Sequence, residues 1–191
     1  MSAGRIREAA RPVLRPVKRG TRFVGRWRRR ARYLRDGIDG IAAELRTCVD
    51  PVPILREYGA TVGKHPSIFG PLIIVNADGD FRHLTIGDNV HIGADTLIDL
   101  ADRVTIRDYA TVSMRCTLVT HIDVGPGPLS ERRPRQQAPV TLEDGCYLGA
   151  GVTVLHGVTV GAEATVGAHA LVRRDVPAQA TFVTPEPRPL E

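Results

Sequence analysis

The sequence predicts an all-β fold, a parallel β-helix, preceded by an Arg-rich amphipathic α-helix. Three observations carry this. An aliphatic residue returns every six positions at Leu142, Leu148, Val154, Val160, Val166 and Val172. A small or aliphatic residue returns four places later, at Cys146, Val152, Val158, Ala164 and Ala170, and Gly follows the aliphatic residue at 149, 161 and 167. The charge is divided, with 14 Lys/Arg against 4 Asp/Glu in residues 1–47 and 12 against 17 in residues 48–191. No α-helix repeats at six, and simple alternation would not keep Gly in one slot. A short fixed period marks a stacked β-coil.

Each six-residue unit supplies a short strand and a turn. The aliphatic residue points inward, the small residue fits the corner, and Gly permits a turn that a Cβ would oppose. Three units close a triangular circuit, so Leu142 is expected to stack on Val160, Leu148 on Val166 and Val154 on Val172. One circuit cannot bury its own apolar face, but stacked circuits can.

At 191 residues the chain supports one domain with an appendage. Aromatic residues are few, which suits a core of Val, Ile, Leu and Ala. No run of apolar residues is long enough for a membrane-spanning helix. No apolar stretch follows the basic start, so a secretory signal is not expected. Three cysteines (Cys48, Cys116 and Cys146) without close pairing argue for a reducing compartment.

Taken in order, residues 1–47 form the basic segment. Pro12 and Pro16 oppose a helix before residue 17. From there Val17, Thr21, Val24, Trp27, Ala31, Leu34, Ile38, Ile41 and Leu45 keep a three-to-four spacing. The spacing predicts an amphipathic helix over about 17–46, weakened near Gly37 and Gly40. Three roles stay open for it: packing on the coil or a neighbouring subunit, lying on an anionic membrane with Trp27 at the interface, or binding nucleic acid. The last is disfavoured because no recognition motif accompanies the charge.

Residues 48–71, rich in Pro and Gly, read as linker and cap, with Tyr58–Gly63 as a first degenerate rung. Residues 72–191 form the coil domain. Six-residue spacing holds at Ile86, Ile92 and Ile98, slips by two across residues 99–103, and resumes at Ile106, Val112 and Leu118. That slip is expected to bulge outward. Residues 123–138 break the pattern with Gly125-Pro126-Gly127-Pro128 and Glu131–Arg135, and are expected to form an extruded loop of the kind that carries function.

The repeat resembles that of the hexapeptide-repeat acyltransferases, whose signature is aliphatic-Gly-x-x-small-x, and the likeness covers roughly residues 70–188. It implies a left-handed coil and a sugar O-acetyltransferase-like activity. In that family the catalytic histidine ends a rung directly before an extruded loop, in a Thr-His setting. His121, in Leu118–Asp123, matches that place. A neutral imidazole there can take the proton of an attacking hydroxyl. Asp99 and Asp123 are the candidates to orient it or to touch the acceptor. The resemblance also implies acetyl-CoA as co-substrate. Arg173, Arg174 and Arg188 match phosphate-contact positions. Ala150 and Ala168 match backbone contacts to the pantetheine arm, Ala150 also serving as oxyanion donor, and Tyr147 matches a position that packs on that arm. The tail after Pro177 lacks the family's usual Gly-Val/Ile-Pro-Ala step, and the Arg-rich N-terminal segment differs from that of the sugar acetyltransferases. A homotrimer with clefts between coils is implied as well.

The reading is therefore an acetyl-CoA-dependent O-acetyltransferase acting on a hydroxyl of a sugar, glycan or glycolipid, cytoplasmic or peripheral at the inner membrane face. Transfer in a ternary complex is expected, because no nucleophile adjoins His121. The alternatives are an N-acetyltransferase on an amino sugar and a non-catalytic trimeric scaffold. A zinc hydratase on the same coil needs two histidines five apart, and no pair among the six histidines has that spacing. No metal is expected.

Overall fold

In the computed structural model, which describes residues 20–184, three parallel sheets run along a triangular solenoid. The first face stacks Thr61–Val62, Leu84–Ile86, Val104–Ile106, Val140–Leu142 and Thr159–Val160. The second stacks Ser67–Ile68, His91–Ile92, Thr111–Val112, Tyr147–Leu148, Thr165–Val166 and Thr181–Phe182. The third stacks Leu72–Val75, Thr96–Asp99, Thr117–Leu118, Thr153–Val154 and Leu171–Val172.

In most of the short strands Thr or another outward residue alternates with an inward Val, Ile or Leu. The inward columns are closed to solvent, with Ile86, Ile106, Leu142 and Val160 no more than 1% exposed. Leu142 pairs with Val160, Leu148 with Val166 and Val154 with Val172, as the six-residue period requires. Burying each such side chain contributes about 1.5–3 kcal/mol, so the columns hold the coil together.

Gly occupies its fixed slot for a reason other than the turn geometry expected. The left-handed φ values fall two residues later, at Gly151 (φ 70) and His169 (φ 58). At Gly149 the constraint is the neighbouring coil: a Cβ there would meet the backbone N of Ala168 at 2.6 Å.

Three departures from regular coiling matter for function. The solenoid opens at Thr61, so the segment 48–71 supplies strands as well as a connection. The slip at 99–103 turns inward at its start instead of bulging out, since Asp99 and Leu100 are 2% and 1% exposed. Third, Ile106 pairs with Leu142, thirty-six residues on, where an unbroken circuit would need eighteen. The extra residues leave the coil after Leu118. His121–Ile122 pairs antiparallel with Gln136–Gln137 to form a two-stranded ribbon.

Helix α1 (Gly20–Leu45) is broken at Gly37, whose φ of 65° and ψ of −156° are non-helical. Gly40 is helical and buried; a Cβ there would meet Asp36 Cβ at 2.7 Å. After the break, Ile38, Ile41, Ala42 and Leu45 are buried and the helix packs on Leu72–Val75. Before it, Trp27 and Leu34 are 73% and 77% exposed. The single apolar stripe expected over this segment is thus divided, one part in the core and one part outside. Residues 17–19 of the expected helix lie outside the described residues.

Helix α2 (Val52–Glu57) caps the first coil through Ile54 and Leu55. Its Glu57 accepts from Arg29 Nη2 at 2.9 Å, and Glu44 accepts from Arg32 Nη1 at 2.9 Å. Tyr33 Oη donates to Gly79 O at 2.9 Å, and its ring lies 5.5 Å from that of Tyr58. A third helix, α3 (Pro128–Arg132), sits at the tip of the extruded loop. No described helix is long and apolar enough to cross a membrane.

Candidate active site

Asp99 is the last residue of its strand and Val75 is its partner one coil earlier. The chain turns at Asn76, which adopts a left-handed φ of 56°, a conformation Asn tolerates better than most residues. From there Asn76 Nδ2 donates to Asp99 Oδ1 at 2.8 Å, and Ala101 N donates to the same oxygen at 3.2 Å. One coil later, Thr120 N donates to Asp99 Oδ2 at 2.9 Å, and Thr120 Oγ1 donates to Asp99 O at 3.0 Å. Parallel stacking of the third face therefore brings Asn76, Asp99 and Thr120 to one corner from three successive coils.

His121 completes this corner. Its Nδ1 lies 2.6 Å from Asp99 Oδ2, and the Asp99 side chain is only 3% exposed. Burial pushes the Asp99 carboxyl upward, but the donors Asn76, His121, Thr120 and Ala101 outweigh it and hold the group below the usual carboxylate range. An ionised carboxylate only accepts hydrogen bonds, so His121 Nδ1 carries the proton and donates. The lone pair of the neutral ring is then on Nε2, and the ring is 24% exposed. The hydrogen bond thus fixes the tautomer of His121 on a buried acceptor.

Asp123 does not share this role. Its Oδ1 accepts from Gly125 N at 2.8 Å inside the loop, and Oδ2 lies 4.0 Å from Arg135 Nε. Asn76 and Thr120 were not singled out by the sequence. Asn76 lies twenty-three residues before Asp99, and only knowledge of the register could have placed it there.

The remaining candidates lie elsewhere on the solenoid. Tyr147 is outward on the second face, 45% exposed, with its hydroxyl accepting from Ser113 Oγ at 3.3 Å. Ala150 and Ala168 sit one above the other where the second face turns into the third, joined by the His169 N to Ala150 O bond of 2.8 Å. Among the described residues, no oxygen accepts from the N–H of Ala150 or Ala168. Arg173 and Arg174 are exposed beside Leu171 and Phe182, and no carboxylate pairs with them among the described residues. Arg188 lies outside the described residues.

Free backbone donors at one edge of the third face and unpaired guanidinium groups at its other edge suit an elongated ligand that carries both amides and phosphates. Ala150 and Ala168 lie at the corner between the second and third faces, whereas Arg173 and Arg174 follow Val172 at the end of the third face, the corner that His121 occupies two coils earlier. Among the described residues, no cluster of His, Cys, Asp or Glu is placed to hold a metal ion.

Two family models match the repeats. The bacterial transferase hexapeptide model, of six repeats, covers residues 139–174, and the hexapeptide repeat of succinyl-transferase covers residues 83–118. No curated protein sequence matches the chain. Among solved structures, a hexapeptide-repeat-containing acetyltransferase from Vibrio cholerae in complex with acetyl-coenzyme A aligns with a TM-score of 0.65 at 21% identity, covering 75% of this chain and 78% of that one. A maltose O-acetyltransferase from Clostridium difficile 630 aligns with a TM-score of 0.66 at 18% identity, over 76% and 79% of the two chains. A galactoside acetyltransferase in complex with coenzyme A gives 0.66 at 18% identity, over 81% and 77%. The chain carries hexapeptide repeats over residues 83–118 and 139–174 and has the left-handed parallel β-helix fold of the acetyltransferases it resembles.

Proposed function

We propose that the protein is an acetyl-CoA-dependent O-acetyltransferase acting on a hydroxyl of a sugar, glycan or glycolipid, with His121 as general base. The observation that carries this reading is the 2.6 Å contact between His121 Nδ1 and the buried Asp99 carboxylate. It leaves Nε2 as the proton acceptor at the mouth of a loop.

His121 Nε2 takes the proton of the acceptor hydroxyl as the oxygen attacks the thioester carbonyl. Asp99 stabilises the imidazolium that forms. A backbone N–H, assigned to Ala150, donates to the oxyanion. The imidazolium then returns its proton to the leaving thiolate, so the base is regenerated. Arg173 and Arg174 are assigned to the phosphates of coenzyme A, with Arg188 as a third contact, Ala168 to the pantetheine amides, and Tyr147 to packing along that arm.

His121 and the Ala150–Ala168 corner are separated by the third face of the coil within one chain. In the proposed homotrimer the histidine corner of one subunit would face the donor corner of the next, so that the sites form between subunits. Use of acetyl-CoA would suit a cytoplasmic enzyme, including one peripheral at the inner membrane face.

The test is release of thiol from acetyl-CoA by purified protein with a panel of sugars, glycans and amino sugars, comparing wild type with His121→Ala. Acceptor-dependent release falling by about 10²–10⁴-fold in the variant is the expected result. Preference for the amine of an amino sugar would move the reading to N-acetyl transfer. Neither turnover nor acetyl-CoA binding would overturn it in favour of a scaffold.

A further inference from the structure

We propose that the outward face of the first half of α1 seats the protein on an anionic membrane surface. This rests on the seating of the helix and is independent of the acetyl-transfer reading.

The first half of α1 is a polar-inside helix. Arg29 turns toward the coil and meets Glu57 and Glu44 at 2.9 and 3.4 Å, and Arg26 reaches Glu57 at 3.5 Å. Tyr33 donates to Gly79 O. Arg29 is thus neutralised by Glu57 of α2 and by Glu44 of the second half of α1, and the exposed Arg26 is paired with Glu57 as well. Apolar side chains would normally occupy that face of a surface helix. Here they occupy the opposite one. Trp27 and Leu34 are 73% and 77% exposed, and Ala31 between them is exposed as well.

At about 100° per residue, Leu34, Trp27 and Ala31 fall within an arc of about 60°. Arg30 borders that arc on one side, and Arg35 and Arg28 on the other. Arg35 is held by Asp36 at 2.7 Å, while Arg28 and Arg30 make no ion pair among the described residues. An apolar strip with cations along both margins matches a bilayer interface, where Trp and Leu enter the acyl boundary and the flanking guanidinium groups reach lipid phosphates. A polyanion without an apolar phase would satisfy the arginines and leave Trp27 and Leu34 in water. The Gly37 break makes the arrangement coherent. It lets Ile38, Ile41 and Leu45 enter the core while the continuation of the same stripe faces outward.

Trp27 is the chain's single tryptophan, so its emission reports on this face alone. The full-length protein is mixed with phosphatidylcholine vesicles with and without phosphatidylglycerol, and binding is read by co-sedimentation and by the Trp27 emission maximum. The expected result is binding and a blue shift only with the anionic lipid. Arg28→Gln/Arg30→Gln should weaken binding and reduce its salt dependence. Trp27→Phe/Leu34→Ser and Trp27→Ser/Leu34→Ser should form a graded series, the latter losing roughly tenfold or more in vesicle affinity. Circular dichroism melting confirms that each variant is folded.

Binding unchanged in Trp27→Ser/Leu34→Ser would overturn the proposal, because the charge of residues 1–19 would then suffice. So would a blue-shifted emission without vesicles that is lost on dilution, which would give the face to a second copy of the chain. Binding of duplex DNA with indifference to anionic vesicles would refute it in favour of nucleic acid.

Discussion

Asp99→Asn keeps the shape of the side chain and removes its charge. The carboxylate accepts from Asn76 Nδ2 and Ala101 N at one oxygen, and from Thr120 N and His121 Nδ1 at the other. An amide has one accepting atom where the carboxylate has two. If its NH2 faces Asn76, that side chain can flip to accept, but Ala101 N–H loses its partner. If its NH2 faces His121, the ring must take the other tautomer, with the proton on Nε2 and no base toward the acceptor. Either outcome leaves a buried donor unsatisfied and should lower stability by about 1–3 kcal/mol.

The effect on rate has two bounds. Replacing a charge-assisted hydrogen bond by a neutral one removes about 1–2 kcal/mol, a factor of about 5–30. Removing the full attraction between carboxylate and imidazolium at about 4 Å removes about 4 kcal/mol at an effective dielectric of 20, or about 10³. The expected fall in kcat is about 10²-fold, with KM for acetyl-CoA changed little, measured by thiol release with saturating acceptor. A variant within threefold of wild-type kcat would refute the argument that Asp99 fixes and charges the base.

The same carboxylate sets a stability signature in acid. Its folded value lies below the ordinary one, so it contributes stability above about pH 3.9 that is lost as pH falls through the lower folded value. Melting temperatures of the wild type should fall more steeply than those of Asp99→Asn below about pH 4. Parallel curves would show that the bonds to Asp99 are worth little in solution.

Arg173→Ala/Arg174→Ala should raise KM for acetyl-CoA about tenfold and leave kcat nearly unchanged, since phosphate contacts far from the reacting carbon act on ground and transition states alike. Gly149→Ala pushes a Cβ to 2.6 Å from Ala168 N and should cost about 1–3 kcal/mol in denaturant unfolding, as overpacking against backbone does. Burial pushes the Cys146 thiol up to about 12 and raises that of Cys116 as well. Native protein should therefore yield at most one alkylated thiol, at half-buried Cys48, and all three only after unfolding, as mass spectrometry would show.

The repeat was legible because the aliphatic residue, the small residue and Gly each report one geometric role, and every coil states them again. Registers such as Leu142 on Val160 follow by counting. Counting also reached His121, since the loop after it interrupts the period, and it placed Asp99 about one rung away. It did not separate Asp99 from Asp123. Asp123 is near in sequence, but its carboxylate closes a local turn on Gly125 N. Asp99 is carried to the histidine by the pairing of Ile98 with Leu118. Asn76 was hidden because its signal is a left-handed backbone at the end of a strand two coils below. The division of the α1 stripe was hidden for a related reason. Spacing marks a face, and only the dihedral angles at Gly37 decide which way that face points on each side of the break.

The pairing of Ile106 with Leu142 means that the extruded loop leaves one coil of the solenoid and rejoins at the very next. The connection holds twenty-one residues between Leu118 and Val140, where the regular one between Val154 and Thr159 holds four, a little over two doublings and about 1.4 kcal/mol of closure entropy. Exchange of this segment for another of different length and composition therefore asks little of the coil, which remains a fixed frame for the base. Such a scaffold can acquire new acceptors by replacement of one loop, leaving both the histidine corner and the distant donor corner as they were.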